Sequence, residues 1–441
     1  MIGIVVSRAD EASVHIGERL LEVADWTASE DASHPPGEGG GTYRHRDGFE
    51  LRHFDELHLH LVDVAEVFDQ PDLVVFVSRH AGETGPLLTA HFTGNVGPAE
   101  YGGRPNALAR AAPNAHAAVL DALDRHAPDG YEVGMECTHH GPTDVGAPSL
   151  FVEVGSAEAQ WRDPTAAAAV ARSVLDLADV APDRDRTVVG LGGGHYAPRF
   201  ERVVRETDWA VGHVVADWAL EAVDQFPTDL LAAVFERSGA GRALLDGDRP
   251  DLAAAIEALG HDVVSETWIR ETTGVPLGVV ERAEAALCSV EDGLRFGQRT
   301  DPEVAITVRR LHPDLVEASL AANTDATRAT IAAHAVAYET AENGNRPTGC
   351  VGLPGGEALG RLVDDLAGVL RDDGATVDRD DDALVVTTSV FDPDRARELG
   401  VPEGPAFGRL TAGEPVEVDG ETVEPATVHV DRTERYPILA P

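Results

Sequence analysis

Lysine is absent from this 441-residue chain: all 35 basic side chains are arginine, set against 77 acidic ones. Cysteine is scarce. Cys137, Cys288 and Cys350 are odd in number and far apart, so neither a disulfide framework nor a paired-cysteine zinc knuckle can be drawn, and a reducing compartment fits. Long apolar runs are missing too. No stretch approaches the eighteen residues that a membrane-spanning helix needs. The N-terminus, MIGIVVSRADEAS, has no basic stretch before its short apolar run and no small-residue cleavage pattern, so no secretory signal is expected and a cytoplasmic location is.

What is abundant is negative charge, −42 in total with a pI of about 4.6. In dilute buffer such a chain would repel itself strongly. In molar salt the screening length falls to about 3 Å and the repulsion largely vanishes. The acids are spread over the whole chain rather than gathered in a tail. That distribution reads as salt adaptation, not as one acidic docking surface. Charge therefore excludes no nucleic-acid partner, because the counterion-release term is weak in high salt for any protein. The 43% hydrophobic content and the length predict two or three folded domains rather than disorder.

Residues 2–6, IGIVV, predict a buried first strand, and a helix follows from Asp10 or Ser13 to about Ala24. The Pro- and Gly-rich stretch 30–48 predicts a mobile loop. Strands are predicted at 73–78, 131–136, 149–155 and 187–191, and helices at 107–126 and 164–180. The alternation predicts an α/β fold with a mixed sheet and helices on both faces. The texture changes near 288–300. A catalytic domain is expected over 1–289 and a smaller α+β accessory region over 290–441, with two helical runs in 303–343, a helix at 356–371 and a strand at 383–391.

Four segments concentrate polar residues at predicted strand ends. SRHAGETGPLLTAHFTGN (Ser78–Asn95) carries His80, Glu83, His91, Thr93 and Asn95. MECTHHGPT (Met135–Thr143) carries Glu136, His139, His140 and Thr143. FVEVGS holds Glu153 between valines, and GLGGGHYAPRF (Gly190–Phe200) sets His195 and Tyr196 directly after three glycines. Ligands bind beyond the carboxyl ends of strands in open α/β sheets, so these loops are expected to converge. Histidines and carboxylates are ligands that zinc prefers, and zinc-bound water is a nucleophile near neutral pH. Each feature has a plainer reading. His139 and His140 are adjacent and would face opposite ways in a strand. Glu153 would suit the solvent face of a half-buried strand. GLGGGH lacks the spacing of a dinucleotide fingerprint and the Lys of a phosphate loop. His91 and His116 stand in no comparable context, and His58-Leu59-His60 reads as structural.

Taken together, SRHAGETGPLLTAHFTGN, the YGG at Tyr101–Gly103, ECTHHGPTDVGAPSLFVEVGS and GLGGGHYAPRF resemble the archaeal-type D-aminoacyl-tRNA deacylases, also found in plants, over roughly residues 1–287. The resemblance implies hydrolysis of the ester joining a D-amino acid to tRNA, a proofreading activity. It also implies zinc as cofactor and a fold similar to peptidyl-tRNA hydrolases and nucleoside phosphorylases. D-aminoacyl-tRNA is then the partner, with no membrane and no DNA, and monomer and homodimer both remain open. Cys137 departs from the small residue expected before THHGPT. The tail beyond 290 resembles an extension of salt-loving archaeal members. Within it Leu399–Gly420 is similar to a short segment of ribonuclease Z, without that nuclease's His cluster, and a structural β-hairpin reading is equally open.

Residue type assigns roles on that basis. His80, His139, His140 and His195 are the expected zinc ligands. Glu136, Glu153 and Tyr196 are expected at the reacting centre, one Glu holding metal or orienting water and the other acting as general base. Amides of the run ending in Gly193 and Gly194 are expected to meet the oxyanion. Thr93, Asn95 and Thr143 are expected to hold the 3′ adenosine, and Gly85-Pro86 and Gly141-Pro142 to wall off the L side chain. A zinc amidohydrolase for a small substrate and a non-catalytic tRNA-binding module are the competing readings.

Overall fold

The computed structural model describes residues 1–221 and 226–440. The chain divides into two compact units, Met1–Thr273 and Gly274–Pro441. The division falls earlier than the change in texture near residue 290. The reason is the helix Leu277–Ala286, whose Arg282 donates to the Pro302 carbonyl at 2.7 Å and so belongs to the second unit.

In the first unit the strands are β1 (Ile2–Ser7), β2 (Thr27–Asp31), β3 (Gly41–Arg46), β4 (Phe49–Phe54), β5 (Leu73–Arg79), β6 (Leu87–His91), β7 (Gly94–Asn95), β8 (Ala107–Leu108), β9 (Glu132–Met135) and β10 (Ser149–Gly155). Eight of them form one mixed sheet in the order β2-β3-β4-β1-β5-β10-β6-β9. β4, β1, β5 and β10 run parallel at its centre. β1 and β5 are the apolar, β-branched runs of the sequence, as strands buried on both faces tend to be. β6 is antiparallel to β10, and β9 is parallel to β6. The helices α1 (Glu11–Val23), α2 (Pro113–His126), α3 (Glu158–Trp161) and α4 (Pro164–Leu175) follow in chain order, and α1, α2 and α4 pack together on one face. The other face carries the turn Val64–Val67 and the Phe68 ring. Gly3 gives that ring room, because a Cβ would stand only 3.0 Å from it.

Two expectations need correction here. The stretch 30–48 is not one loop: β2 pairs with β3 from Thr27↔His45 to Asp31↔Gly41, and β3 turns into β4 through Asp47-Gly48. A two-residue Asp-Gly link between alternating runs is a hairpin signal, and Gly48 has the positive φ, 77°, that such a turn demands. The helix expected over 107–126 begins only at Pro113, since Ala107–Leu108 pairs instead with Gly94–Asn95.

A second, parallel sheet completes this unit: β11 (Thr187–Leu191), β12 (Ala210–Val215), β13 (Arg242–Leu245) and β14 (Asp262–Val264), in the order β12-β11-β13-β14. Its helices are α5 (Pro198–Glu206), α6 (Asp217–Glu221), α7 (Thr228–Ser238), α8 (Pro250–Ala258) and α9 (Glu266–Thr272).

The second unit is α+β. A four-stranded antiparallel sheet (294–296, 337–341, 346–353, 307–310) packs on the helices 313–322, 324–334 and 356–372. The expected helical stretch 303–343 therefore has strands at both ends. Strand 383–391 lies between 376–379 and 429–437 in a smaller sheet. Within 399–420 a short helix, Pro405–Thr411, leads into a hairpin of Val416–Val418 with Glu421–Val423, closed around Leu410, Val416 and Val423.

Candidate active site

Side chains two apart in a strand share a face. On the face away from α1, α2 and α4, the register sets Glu153 of β10 between Ser78 of β5 and Thr89 of β6, and Phe151 between Phe76 and His91. The Phe76 and Phe151 rings stack at 4.6 Å, and His91 lies over Phe151 at 5.3 Å. A polar row thus runs over an aromatic one inside the protein. Glu153 is 4% exposed. It accepts from the Ser78 hydroxyl at 2.5 Å, and its oxygens lie 3.5 Å from His91 Nε2 and 3.7 Å from His80 Nδ1. His80 follows β5 directly and lies against Gly155, where a Cβ would come within 2.6 Å of its ring.

The loop after β9 bridges the two sheets. Glu136 N donates to Ala90 O, Cys137 N to His195 O, and Thr138 N to Val214 O. Beneath it Thr138 Oγ1 meets His213 Nδ1 at 2.9 Å. This crossing brings the glycine-rich loop of β11 to the face of the first sheet. The convergence is therefore not at one shared carboxyl edge, as expected, but over the face, because β6 and β9 run against β5 and β10.

Glu136 is the hub. Its Oε2 accepts from His195 Nε2 at 2.8 Å, and its Oε1 lies 3.1 Å from His80 Nδ1. His80 Nε2 meets the Tyr196 hydroxyl at 3.2 Å, and His195 Nδ1 lies 3.5 Å from Cys137 Sγ. Burial alone would neutralise these groups, but their mutual contacts win. Burial raises Glu136 and Glu153, yet the histidines beside them hold both carboxyls well below the usual range. Burial lowers His80, yet Glu136 and Glu153 lift it to about 11. Contacts with Cys137 and then Glu136 lift His195 to about 10. Two carboxylates and two imidazoliums therefore face one another at neutral pH. Burial, then the nearby His91, hold His139 well down, and burial pushes His140 down to about 4.

Three histidines present a different arrangement. The Nδ1–H of His91 donates to Phe92 O at 3.0 Å, that of His139 to Cys137 O at 2.8 Å, and that of His140 to Gly141 O at 2.6 Å. His139 and His140 keep a bare Nε2, His91 Nε2 faces Glu153 Oε1 at 3.5 Å, and the three residues can each offer a ligand atom within 4.8 Å of the others. Backbone-fixed Nδ1–H groups are the usual second shell of histidine metal ligands. His91 Nε2 and Glu136 Oε1 are buried without a hydrogen-bond partner, so the donor set fits a zinc ion. Two further groups meet the same spacing: Cys137 with His139 and His195, and His80 with Glu136 and Glu153.

His80, Glu136, His139, His140, Glu153 and His195 floor an open cavity of about 720 Å³, also lined by Asn95, Tyr101, Phe151 and Trp218, with His91 and Cys137 buried behind them. The four expected zinc ligands do not form one set. His80 groups with the carboxylates, His139 and His140 with His91, and His139 and His195 with Cys137. Of the expected oxyanion amides, Gly193 N is bonded to Asp217 at 3.0 Å and Gly192 N to Val215 O, which leaves Gly194. Thr93, Asn95 and Thr143 turn their polar atoms into the fold. Thr93 donates to Pro142 O, Asn95 to the Gly102 and Arg104 carbonyls, and Thr143 accepts from Arg104 N. Thr143 lines a separate groove of about 890 Å³ at the amino ends of β1 and β5, which holds none of the cluster. Gly85-Pro86 does not line the 720 Å³ cavity, and Gly141 packs on the backbone of Gly102 and Gly103. Sequence reasoning missed His91. The alternation Thr89-x-His91, matching Ser78-x-His80 and Phe151-x-Glu153, is the signal that finds it.

The fold and the cluster define a class: a mixed α/β protein with a buried carboxylate–imidazole centre open to solvent through one cavity. The family model described as D-aminoacyl-tRNA deacylase matches residues 67–264. A relative from Halorubrum lacusprofundi, named D-aminoacyl-tRNA deacylase, is 51% identical over all of this chain and 97% of its own. One of the same name from Haloarcula marismortui is 52% identical over 99% of this chain and 100% of its own. Another, from Methanococcoides burtonii, is 30% identical over 99% of this chain and 96% of its own, so the region beyond residue 290 is shared with it. A crystal structure described as a conserved protein of unknown function aligns with TM-score 0.56 and 28% identity, covering 62% of this chain and 98% of that one. The chain belongs to the D-aminoacyl-tRNA deacylase family. Among the described residues no helix is long and apolar enough to cross a membrane.

Proposed function

We propose that this chain hydrolyses the ester of D-aminoacyl-tRNA, releasing a free D-amino acid and tRNA. The observation that carries the reading is His80 held between two buried carboxylates at the floor of the cavity, in a chain about half identical over its full length to proteins named for that reaction. Water adds to the ester carbonyl carbon, the bond to the ribose oxygen breaks, and that oxygen leaves with a proton. Glu136 Oε1, 3.1 Å from His80 Nδ1 and on the cavity floor, is placed to accept from the attacking water. His80, protonated at neutral pH and backed by Tyr196, faces the developing oxyanion and can return a proton to the leaving oxygen. His91, His139 and His140 would hold zinc. Bound there, zinc would supply Lewis acidity and make water a stronger acid. The net charge of −42 suits a cytoplasm of molar salt.

The test is deacylation of matched D-Tyr-tRNA and L-Tyr-tRNA in molar KCl, with and without a chelator. Loss of the D ester alone, abolished by the chelator, is the expected result. A folded protein that hydrolyses neither ester ends the reading. Equal loss of both removes the chiral selection.

A further inference from the structure

Seven large hydrophobic side chains are exposed among the described residues, and two are aromatic, Tyr101 at 67% and Trp218 at 51%. Both line the cavity that holds the His–Glu cluster. Aromatic residues make up only 5% of the chain, so two exposed rings at one cavity mouth stand out from its surface.

Neither ring hangs on a loose segment. The Tyr101 carbonyl accepts from Gly141 N at 3.0 Å, and Asn95 Nδ2 clamps the neighbouring carbonyls of Gly102 and Arg104 at 2.8 and 3.2 Å. Gly97 N bonds Asn106 Oδ1 at 2.8 Å and closes the base of that loop. Gly102 and Gly141 are needed for the fit: a Cβ would stand 2.1 Å from Leu59 O at the first and 2.4 Å from Gly103 N at the second. On the other element, Asp217 binds the glycine-rich loop twice, through its own N to Gly193 O at 2.9 Å and through its carboxylate to Gly193 N at 3.0 Å. Trp218 follows it directly. Polar groups with the chemistry to touch a nucleotide are thus spent on fixing the backbone beneath two bare rings.

We infer that Tyr101 and Trp218 form a stacking platform for the terminal adenine at the 3′ end of the tRNA, seating the esterified ribose over the His80–Glu136 centre. The inference rests on the deacylase reading for its substrate. An unpaired base recognised by stacking needs an exposed, pre-positioned π face and no basic groove. That suits a chain of this charge, in which phosphate contacts contribute little in high salt.

The test compares the D-tyrosyl ester of adenosine with the same ester of 1-O-methylribose, which lacks the base. Tyr101→Ala and Trp218→Ala should each raise KM for the adenosine ester about 5- to 150-fold, with kcat within about twofold. Tyr101→Phe and Trp218→Phe should restore it. On the base-free ester the alanine variants should match the wild type. Equal losses on both esters, or none on either, would overturn the platform. A second readout does not depend on hydrolysis. The trinucleotide CCA should quench the tryptophan fluorescence of the whole protein, Trp218→Phe should lose that quench, and Tyr101→Ala should weaken it. No quench in the wild type refutes the platform even if the ester is cleaved. A quench without cleavage keeps the platform and removes the deacylase reading.

Discussion

Glu136 Oε2 accepts a hydrogen bond from His195 Nε2 at 2.8 Å, joining the end of β9 to the glycine-rich loop of β11. The same carboxylate lies against His80, so one buried side chain contacts two histidines from two separate sheets and helps Cys137 raise one and Glu153 raise the other. Its own backbone N–H is fixed to Ala90 O, which leaves the carboxylate little freedom to turn away.

Replacing it by Gln keeps the shape and removes the charge. Glu136→Gln should lower single-turnover deacylation about 10²- to 10⁴-fold, the range of a positioned acid–base group. Circular dichroism should be unchanged. A loss under threefold in a folded variant would take Glu136 out of the mechanism.

His139 belongs to both histidine-rich candidate metal groups, with His91 and His140 and with Cys137 and His195. His139→Ala should therefore strip bound zinc to background by elemental analysis, whichever group is occupied. His116→Ala is the control. His116 is buried against Phe92, with Nε2 on Ala90 O, outside all three groups. If His139→Ala keeps the wild-type zinc content, neither group holds the metal.

Burial pushes His58, His116 and His213 down to about 4. Each stays neutral in the folded protein at pH values where the unfolded chain, with histidines near 6.5, already takes up a proton. The contribution of these three sites to stability is then flat above about pH 7 and falls as pH drops from about 6.5 towards 4, opposite in sign to that of His80 and His195, whose raised values favour the fold at low pH. Between pH 7.5 and 5 the loss is on the order of 2 kcal/mol per site. Urea unfolding in molar KCl at the two pH values measures it, and His116→Gln should shrink the difference by about one site's share. A difference as large as the wild type's would show that His116 carries no such penalty.

The parts of the fold that were legible are those that chemistry makes conspicuous. β1 and β5 are near-continuous apolar runs because both their faces are covered, and β10 is one broken only by Glu153. The edge strand β2 and its neighbour β3 were hidden, since strands with solvent on one side tolerate the polar composition of TASED and GTYRHR. Only Asp47-Gly48 marked them. In the second unit, the strands flanking the helices 313–322 and 324–334 were short, and the helical composition around them masked both.

Residue types and their clustering in four segments were determined by the sequence: histidine and glutamate concentrated near strand ends, and a large excess of acid over base. Which of those groups meet was decided by tertiary structure. His91 reaches Glu153 because β6 runs antiparallel to β10 in one register, and a slip of one residue would turn it to the helical face. Thr93, Asn95 and Thr143 have the chemistry to bind a nucleotide, but the nearest acceptors and donors are backbone groups of their own loops. A hydrogen bond goes to whatever stands within about 3 Å, and only the folded chain sets that neighbour.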